Sequence, residues 1–375
     1  MIVPAAHDGE ARLRQIARAR QAVMQEGRSM TDVLIGGWYE QAWIERSWRR
    51  CLTSGLRPQD PVSFDIVSAQ QMRRTAEANH LLVDAARPVL EQLGRAIAST
   101  RYFAILTNRD GVVVDAHGPV DRDDPRATLI TRIGVDLSER SVGTTSIGAT
   151  LAELQPVWLH RGEHFFQDTS CYSCAGAPLF GPDGTCVGML DLTGIDAAER
   201  PELKHLVTQS ARSIENALAL SRPHHIVLRL NWPGRLLGED DDGLLTLDGD
   251  GWVTGSNSAA RQMLSALAEG AGNPVHCSEL FAQPWEPLFD LARHAEQVPV
   301  DVALWSGLHL ACVAQPAGEP RAGGPSRLPL RDVEIALIRK AVSDARGNVM
   351  EAARALGISR ATVYRKLWQA RRPGA

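Results

Sequence analysis

Four residues in the middle of the chain could bind a metal or carry out thiol chemistry: Cys171, Cys174, His160 and His164. Zinc prefers thiolate and imidazole ligands, but a structural zinc site usually combines two cysteine pairs at a set spacing. The sequence has no second pair, so it predicts no metal, no cofactor and no catalytic residue. The pattern favours cysteines that pack in a core or line a pocket. A redox-sensing or reductase protein, which would use Cys186 as well, is an alternative.

A glycine-rich phrase, Gly143-Thr-Thr-Ser-Ile-Gly148, precedes these residues. The phrase lacks the lysine of a phosphate-binding Walker loop, so we expect it to shape the wall of a pocket. Its hydroxyls, with nearby aromatic, imidazole and thiol groups, give the mixture of apolar and polar surface found in small-molecule sites. The candidate effector-binding residues are Thr144, Thr145, Trp158, His160, His164, Phe165 and Cys174. Packing alone is an equally good explanation for any one of them.

The C-terminal stretch has the pattern of two short helices around a turn. Asn348 and Glu351 form a capping box, Gly357 permits a left-handed turn, and Ser359 caps the second helix. From Arg346 onward the chain has seven Arg or Lys and one acid, although its overall formal charge is -4. A basic helix pair of this kind suits the phosphates and base edges of double-stranded DNA. The predicted DNA-binding residues are Ser359, Arg360, Thr362, Tyr364, Arg365 and Lys366.

This stretch resembles the DNA-binding end of the factor for inversion stimulation (Fis) family. The resemblance rests on the small-residue helix, the Gly357-Ile358 turn and the Ser359-Arg-Ala-Thr362 start of the second helix. It implies an all-α helix-turn-helix unit over residues 330–375. The preceding amphipathic segment, with Val333 and Leu337 on one face, resembles that family's dimerising helix and implies a homodimer.

Hydrophobic periodicity predicts the elements that position the middle residues. An amphipathic helix from about 68 to 99, which Pro88 should kink or split, precedes two hairpins. Their turns are Asn108-Arg-Asp-Gly111 and Gly181-Pro-Asp-Gly184, with glycine where a positive φ is needed. A helix from about 203 to 218 closes the unit. A helical region is also predicted for about 7–50, where aromatic residues including Trp38, Tyr39, Trp43 and Trp48 recur.

The order of these elements resembles the GAF sensor of activators similar to the acetoin catabolism regulator. Three phrases carry the resemblance: Gly143 to Gly148, Glu163-His164-Phe165, and Cys174 to Gly184. The segment from Ser47 to Leu56 is similar to the family's S-W-x-R-C-x-x-x-G-L phrase. The resemblance covers about residues 43–220 and implies a domain that senses a small organic effector. Activators of this class place an AAA+ ATPase between the sensor and the helix-turn-helix.

A smaller unit follows the predicted sensor. Two strand-like segments, 244–247 and 252–254, flank an Asp-Gly-Asp-Gly turn and resemble the opening of a PAS domain; segments 300–305 and 308–313 would complete a sheet. The chain is therefore predicted to be an α+β multidomain protein. Its predicted parts are an N-terminal helical region (1–65), a GAF sensor (66–220), a PAS-like unit (223–315), a Pro/Gly-rich linker (316–329) and the helix-turn-helix (330–375).

The composition indicates the class of protein and the cellular compartment in which we expect it. The chain has 375 residues, of which 44% are hydrophobic and 22% charged, as in ordinary globular proteins. No stretch approaches the roughly 20 apolar residues of a membrane span, and the six cysteines are scattered, so we expect a cytoplasmic protein with reduced thiols and no membrane contact.

Lysine usage bears on the mechanism. The lysines are Lys204, Lys340 and Lys366, and none follows a glycine, so no Walker loop is present. We expect regulation without ATP hydrolysis, through RNA polymerase directly or through competition or mixed dimers with a full-length AAA+ relative. An architectural DNA-binding protein without a ligand is a further alternative.

Overall fold

The chain folds as two units, Met1–Pro320 and Arg321–Ala375, in a computed structural model. The structure describes residues 5–29, 42–64, 66–269, 273–294, 298–317, 349–355, 359, 360 and 362. The first unit contains two antiparallel five-stranded sheets with flanking helices. The predicted α+β class is therefore confirmed.

The N-terminal part of the described chain contains two helices. Helix α1 (Ala5–Arg20) continues as a π-helical turn (Gln21–Gln25), and α2 spans Ala42–Thr53. The helical prediction for 7–50 is thus confirmed in two pieces, while Trp38 and Tyr39 lie outside the described residues. One face of α2 is buried, including Trp43 and Trp48, which explains the density of aromatic residues there.

The first sheet has the strand order β2-β1-β5-β4-β3. Its strands are β1 (Tyr102–Asn108), β2 (Val113–His117), β3 (Val157–His160), β4 (Tyr172–Phe180) and β5 (Cys186–Ile195). Both predicted hairpins are confirmed. In the first turn, Asn108 Oδ1 accepts the amides of Asp110 and Val112, and Gly111 has a φ of +80°.

Six helices surround this sheet. They are α3 (Ala69–Ala78), α4 (His80–Ala96), α5 (Pro125–Ile130), α6 (Glu139–Val142), α7 (Ser146–Glu153) and α8 (Leu203–Ser221). The closing helix is confirmed, but the predicted split at Pro88 is wrong, because α4 is continuous from His80 to Ala96. The interruption falls at Asn79, whose side-chain amide donates to the Thr75 carbonyl at 2.7 Å. Helix α4 runs through Pro88 because its buried face, which includes Leu90, packs against the sheet and outweighs the lost amide donor.

The sheet separates two packed layers, because side chains alternate between its faces. Helices α4 and α8 pack on the face that presents Leu106, Leu190 and Leu192. Helices α5 to α7 cover the opposite face, which presents Ile105 and Met189.

The second sheet has the strand order β8-β7-β6-β10-β9. Its strands are β6 (Ile226–Asn231), β7 (Gly243–Leu247), β8 (Val253–Ser256), β9 (Val300–Ala303) and β10 (His309–Pro316). Its helices are α9 (Ser258–Met263), α10 (Ser265–Glu269), α11 (Cys277–Leu280) and α12 (Glu286–Arg293). The predicted strands are confirmed, but β6, which lies at the centre of the sheet between β7 and β10, was not predicted.

In the second unit the structure describes helix α13 (Val349–Ala355) and three residues beyond it. The predicted cap is confirmed: Ser359 Oγ accepts the Thr362 amide at 3.2 Å. The predicted dimerising helix, Asn348, Gly357 and Ile358 lie outside the described residues. Across the described part of the chain, no helix is both long and apolar enough to cross a membrane.

Candidate effector cavity and DNA-binding segment

A cavity of about 30 Å³ lies between the first sheet and the layer of α5 to α7. The volume suffices for about two water molecules, or for a molecule of a few non-hydrogen atoms. Its lining is mostly apolar with a few polar groups, and comprises Phe64, Ile105, Ile130, Leu137, Val142, Thr145, Ser146, Ile147, His164, Thr169, Tyr172, Cys174 and Thr193.

Three polar side chains meet at one corner of this cavity, which we name the acceptor corner. Cys174 Sγ lies 3.5 Å from His164 Nε2 and 3.4 Å from Thr193 Oγ1. Sheet register produces the second contact, because Cys174 on β4 is paired directly with Thr193 on β5. All three residues are buried.

The ring state of His164 follows from its surroundings. Its Nδ1 lies 2.9 Å from the Arg161 carbonyl oxygen, which can only accept, so Nδ1 carries the proton. Burial lowers the pKa of His164 to about 4, and the ring is neutral near pH 7. Nε2 is therefore a hydrogen-bond acceptor that faces the Cys174 thiol.

A buried carboxyl group, that of Asp191, is hydrogen-bonded to the Thr193 hydroxyl of the acceptor corner. Asp191 accepts hydrogen bonds from the hydroxyls of Ser146 and Thr193, and burial raises its pKa to about 7. Asp191 was not among the residues predicted from the sequence. A signal existed in Leu190-Asp191-Leu192, where one acid stands inside an otherwise apolar strand. Its partner strand bears Gly176 opposite Asp191, where a Cβ would lie 2.6 Å from Thr150 Oγ1, so glycine lets α7 approach the sheet.

The cysteines show little sign of redox reactivity. All six are free thiols. Burial raises the pKa of Cys174 well above its usual value, and burial also raises that of Cys171. A reactive cysteine needs the opposite shift, because the thiolate is the nucleophile. Within the described ranges, no group of three or more His, Cys, Asp or Glu side chains could hold a metal ion.

The cavity unites only part of the predicted effector-binding set. Thr145, His164 and Cys174 line it. Trp158 and His160 are placed on β3, where Trp158 packs with the core under α4 and α8 on the opposite face of the sheet.

The remaining two predicted residues anchor the N-terminal helices. Thr144 Oγ1 lies 2.7 Å from Ser47 Oγ on α2, and Phe165 packs in the same buried cluster as Trp48. The Trp48 indole donates to the Glu163 carbonyl at 2.9 Å. The phrase that begins at Ser47 thus docks α2 on the cavity-forming loops, which local pattern could not reveal.

Helix α1 holds the loop that carries His164. The Arg20 guanidinium donates to the carbonyls of Gly162 and Phe165, each at 2.8 Å, and to the carbonyl of His164. Burial lowers the pKa of Arg20 to about 10, a value at which the side chain is still charged near pH 7. On the same helix, Arg12 pairs with the buried Glu163 at 3.0 Å. Helix α1 is therefore hydrogen-bonded to the loop that carries the cavity residue His164.

Helix α8 connects the two sheets. The Glu215 carboxylate accepts the amide of Phe180, at the end of β4, at 3.0 Å and the amide of Ser258, which begins α9, at 3.3 Å. One residue further on, Asn216 accepts from the Asn257 side chain at 2.7 Å. One turn of α8 is thus hydrogen-bonded both to β4 of the first sheet and to the start of α9 beside the second.

The predicted DNA-binding residues divide between the described and undescribed parts of the chain. Ser359 forms its cap, and Arg360 and Thr362 follow in helical backbone. Tyr364, Arg365 and Lys366 lie outside the described residues.

Two segments match known families. Residues 329–369 match "Bacterial regulatory protein, Fis family", and residues 40–216 match "MimR, N-terminal domain". These segments overlap the predicted helix-turn-helix and the predicted sensor domain, the second together with α2.

Curated relatives are transcriptional regulators by name. The acetoin catabolism regulatory protein of Cupriavidus necator is 30% identical over 74% of this chain and 43% of its own length. The acetoin dehydrogenase operon transcriptional activator AcoR of Bacillus subtilis is 27% identical over 47% of this chain and 29% of its own. The propane 2-monooxygenase operon transcriptional activator MimR of Mycolicibacterium smegmatis is 25% identical over 66% of this chain and 40% of its own. The chain matches less than half the length of each relative.

Proposed function

We propose that this chain, an acetoin-regulator-like protein with a Fis-family DNA-binding segment, is an effector-responsive, sequence-specific transcriptional regulator that acts without its own ATPase. The Fis-family match at residues 329–369, together with the Ser359 cap, is the observation that carries the proposal. The expected partners are double-stranded DNA, a small-molecule effector, a second copy of the chain, and RNA polymerase or a full-length AAA+ relative. The expected compartment is the cytoplasm.

DNA recognition is assigned to the second helix of the Fis-type unit. Two copies would place recognition helices in successive major grooves, so the operator should be a palindrome with half-site centres about 34 Å apart, or a multiple of that. Arg360→Ala should weaken binding to the operator by about 1–3 kcal/mol and relax base preference. Lys366→Ala is the matched control, because loss of a phosphate contact should weaken specific and random DNA alike.

The assay is a titration of specific and random duplexes at fixed salt, after genome-wide footprinting has identified the operator. An unchanged ratio of specific to random binding in Arg360→Ala would refute the assignment of the recognition helix.

Effector sensing is assigned to the cavity in the first sheet. A ligand that binds only the folded state stabilises it, by on the order of 2.7 kcal/mol at a hundredfold excess over its dissociation constant. His164→Ala should reduce the thermal shift because His164 lines the cavity, whereas Thr144→Val should leave the shift largely intact because Thr144 contacts α2. Equal shifts in wild type and His164→Ala would argue against this location.

Independence from ATP rests on the region between the two matched segments, residues 217–328. Its described part is occupied by the second sheet and its short helices, and it contains no lysine to serve a Walker loop. The purified chain should show no DNA-stimulated ATP hydrolysis, and measurable turnover would overturn this part of the proposal. Target promoters that respond only when a full-length relative is present would favour mixed dimers over direct action on polymerase.

A further inference from the structure

Three tryptophans lie around the short helix α11 beside the second sheet, and we name them the tryptophan surface: Trp252, Trp285 and Trp305. Trp305 is 69% exposed, Trp252 is 43% exposed, and Trp285 is half-buried. Tryptophan is strongly enriched at the energetic centres of protein interfaces, where it supplies a large apolar area. Several exposed rings around one helix therefore indicate a surface that another molecule covers.

Contacts beneath the tryptophan surface hold its rings in place. The His276 ring lies between two of them edge-on, with centroid distances of 5.1 Å to Trp252 and 5.3 Å to Trp285. His276 is itself fixed by a hydrogen bond to a backbone carbonyl. The Trp305 indole donates to the Ser278 carbonyl at 2.9 Å. Rings that are already ordered lose little conformational entropy when a partner binds.

The surroundings of the tryptophan surface are acidic. Residues 226–316 contain twelve Asp or Glu, four Arg and no Lys. Three of the arginines, Arg229, Arg261 and Arg293, are engaged in contacts with other groups. The acidic character of this part of the chain is therefore largely uncompensated.

Each tryptophan has an exposed carboxylate near it, and we name these three residues the acidic rim. Asp250 stands two positions before Trp252, Glu286 directly follows Trp285, and Glu279 directly follows the residue whose carbonyl holds the Trp305 indole. Within the described ranges, the carboxylates of Asp250 and Glu286 take part in no hydrogen bond or ion pair. They are available to a cationic partner.

The guanidinium group of arginine fits both features at once. It is planar and always charged, it stacks on the face of an indole ring, and its fork of donors matches a carboxylate. The compact ammonium of lysine makes only a point contact. A purely apolar partner would bury the carboxylates of the rim without a countercharge, and a phosphate-rich partner would be repelled.

We propose that the tryptophan surface docks an arginine-rich segment of a partner protein. The guanidinium groups stack on the exposed rings and pair with the carboxylates of the acidic rim. Because the rings and carboxylates are spread around α11, the surface takes several arginines of one segment rather than a single guanidinium compound. This interaction is separate from DNA recognition and from effector sensing.

Two fluorescently labelled peptides test the proposal on the full chain. One has three Arg-Gly-Gly repeats, and the other has lysine in place of each arginine, so that length and charge are equal. Fluorescence anisotropy is measured at about 0.15 M salt, where nonspecific attraction between exposed charges is largely screened. The arginine peptide should bind at least about fivefold more tightly than the lysine peptide, because only arginine both stacks and forks.

Tryptophan variants locate the site. Trp305→Ala and Trp252→Ala should each weaken binding of the arginine peptide by at least about fivefold and reduce its advantage over the lysine peptide. Trp232→Ala is the matched control: Trp232 is 41% exposed and, among the described residues, makes no ring contact with the tryptophan surface, so its loss should leave affinity unchanged.

Charge variants separate the acidic rim from the general charge of the chain. Asp250→Asn and Glu286→Gln should weaken both peptides, since each removes a carboxylate next to a ring. Asp241→Asn is the control, because Asp241 is exposed in the acidic run between β6 and β7. All three substitutions preserve side-chain size at exposed positions, so the comparison does not depend on a residue that the fold requires.

Four results would overturn the proposal. They are equal affinity for the two peptides, absence of saturable binding, equal losses in Trp305→Ala and Trp232→Ala, and equal losses in the rim variants and Asp241→Asn. Competition by N-acetylarginine amide as strong as that of the peptide, at equal guanidinium concentration, would assign the surface to a small molecule instead. Sedimentation of the full chain alone covers the remaining occupant: self-association that Trp305→Ala abolishes would assign the surface to a second copy.

Discussion

Replacement of Arg20 by methionine tests whether α1 stabilises the loop that carries His164. Arg20 makes three hydrogen bonds to the carbonyls of the loop at 162–165, and its guanidinium lies 5.7 Å from the ring centroid of Trp48. Methionine preserves much of the side chain's apolar stem, so the substitution removes mainly the charge and the hydrogen bonds.

The expected loss can be worked out from these contacts. A hydrogen bond to a charged group contributes about 1.5–3 kcal/mol, but the freed carbonyls can recover part of this from water because the site is only partly buried. We therefore expect Arg20→Met to lower the free energy of unfolding by about 2–4 kcal/mol. Arg18→Met is the matched control: Arg18 lies on the same helix, is exposed, and makes no hydrogen bond or ion pair within the described residues, so its effect should stay within about 0.5 kcal/mol.

The measurement is urea unfolding followed by tryptophan fluorescence, with the slope against urea checked for constancy. Hydrogen exchange supplies a second readout. The Phe165 amide bonds to the Thr144 carbonyl at 3.2 Å and should exchange faster once the loop loses Arg20. Equal unfolding free energies for Arg20→Met and Arg18→Met, with unchanged exchange at Phe165, would refute stabilisation of the loop by Arg20.

Three further substitutions have defined outcomes. Gly143→Ala should lower the free energy of unfolding in urea by more than about 3 kcal/mol, because its φ is +65° and a Cβ would lie 2.9 Å from two phenylalanine side chains. Gly55→Ala is the control: its φ is +85° but no atom lies within 4 Å of the added Cβ, so the loss should be about 1 kcal/mol. Asp191→Asn should flatten the pH dependence of stability. Burial raises the folded-state pKa of Asp191 to about 7, so protonation of Asp191 stabilises the fold fully below about pH 4, and this contribution is lost as pH rises toward 7. The free energy of unfolding of the wild type should therefore fall between pH 5 and 7 by up to about 1.4 kcal/mol per pH unit. The variant should keep part of this slope, because burial also raises the pKa of Glu163 to about 7. Glu215→Ala should separate the calorimetric unfolding of the two sheets into two transitions. A single transition with an unchanged midpoint would contradict coupling of the two sheets by the Glu215 hydrogen bonds.

The second sheet shows where local pattern is insufficient. Strands β7 and β8 were predictable because a turn with glycine and an alternating pattern lie within a few residues of each other. Strand β6 precedes a long loop and pairs with β10, as in Ala311 with Asn231, and a partner 80 residues away leaves no mark in a short window. The same limit explains Pro88, where packing of α4 on the sheet overrode a local breaker.

The cavity shows the same division at the level of side chains. Cys174 and His164 could be selected from the sequence because their types are chemically distinctive and they stand ten residues apart. Trp158 and His160 were selected for the same reason, yet strand alternation places Trp158 on the other face of the sheet.

Features that depend on a few neighbouring residues were predictable from the sequence: the hairpin turns, the Ser359 cap, the basic character of the C-terminal stretch, and the family phrases. Which of the candidate side chains share a cavity, and the support that Asp191 and Arg20 give them, became clear only from the folded chain. The difference follows from separation along the chain. Arg20 reaches Phe165 across 145 positions, and Asp191 meets Ser146 across 45, so these partners are chosen by the packing of whole elements rather than by any local preference.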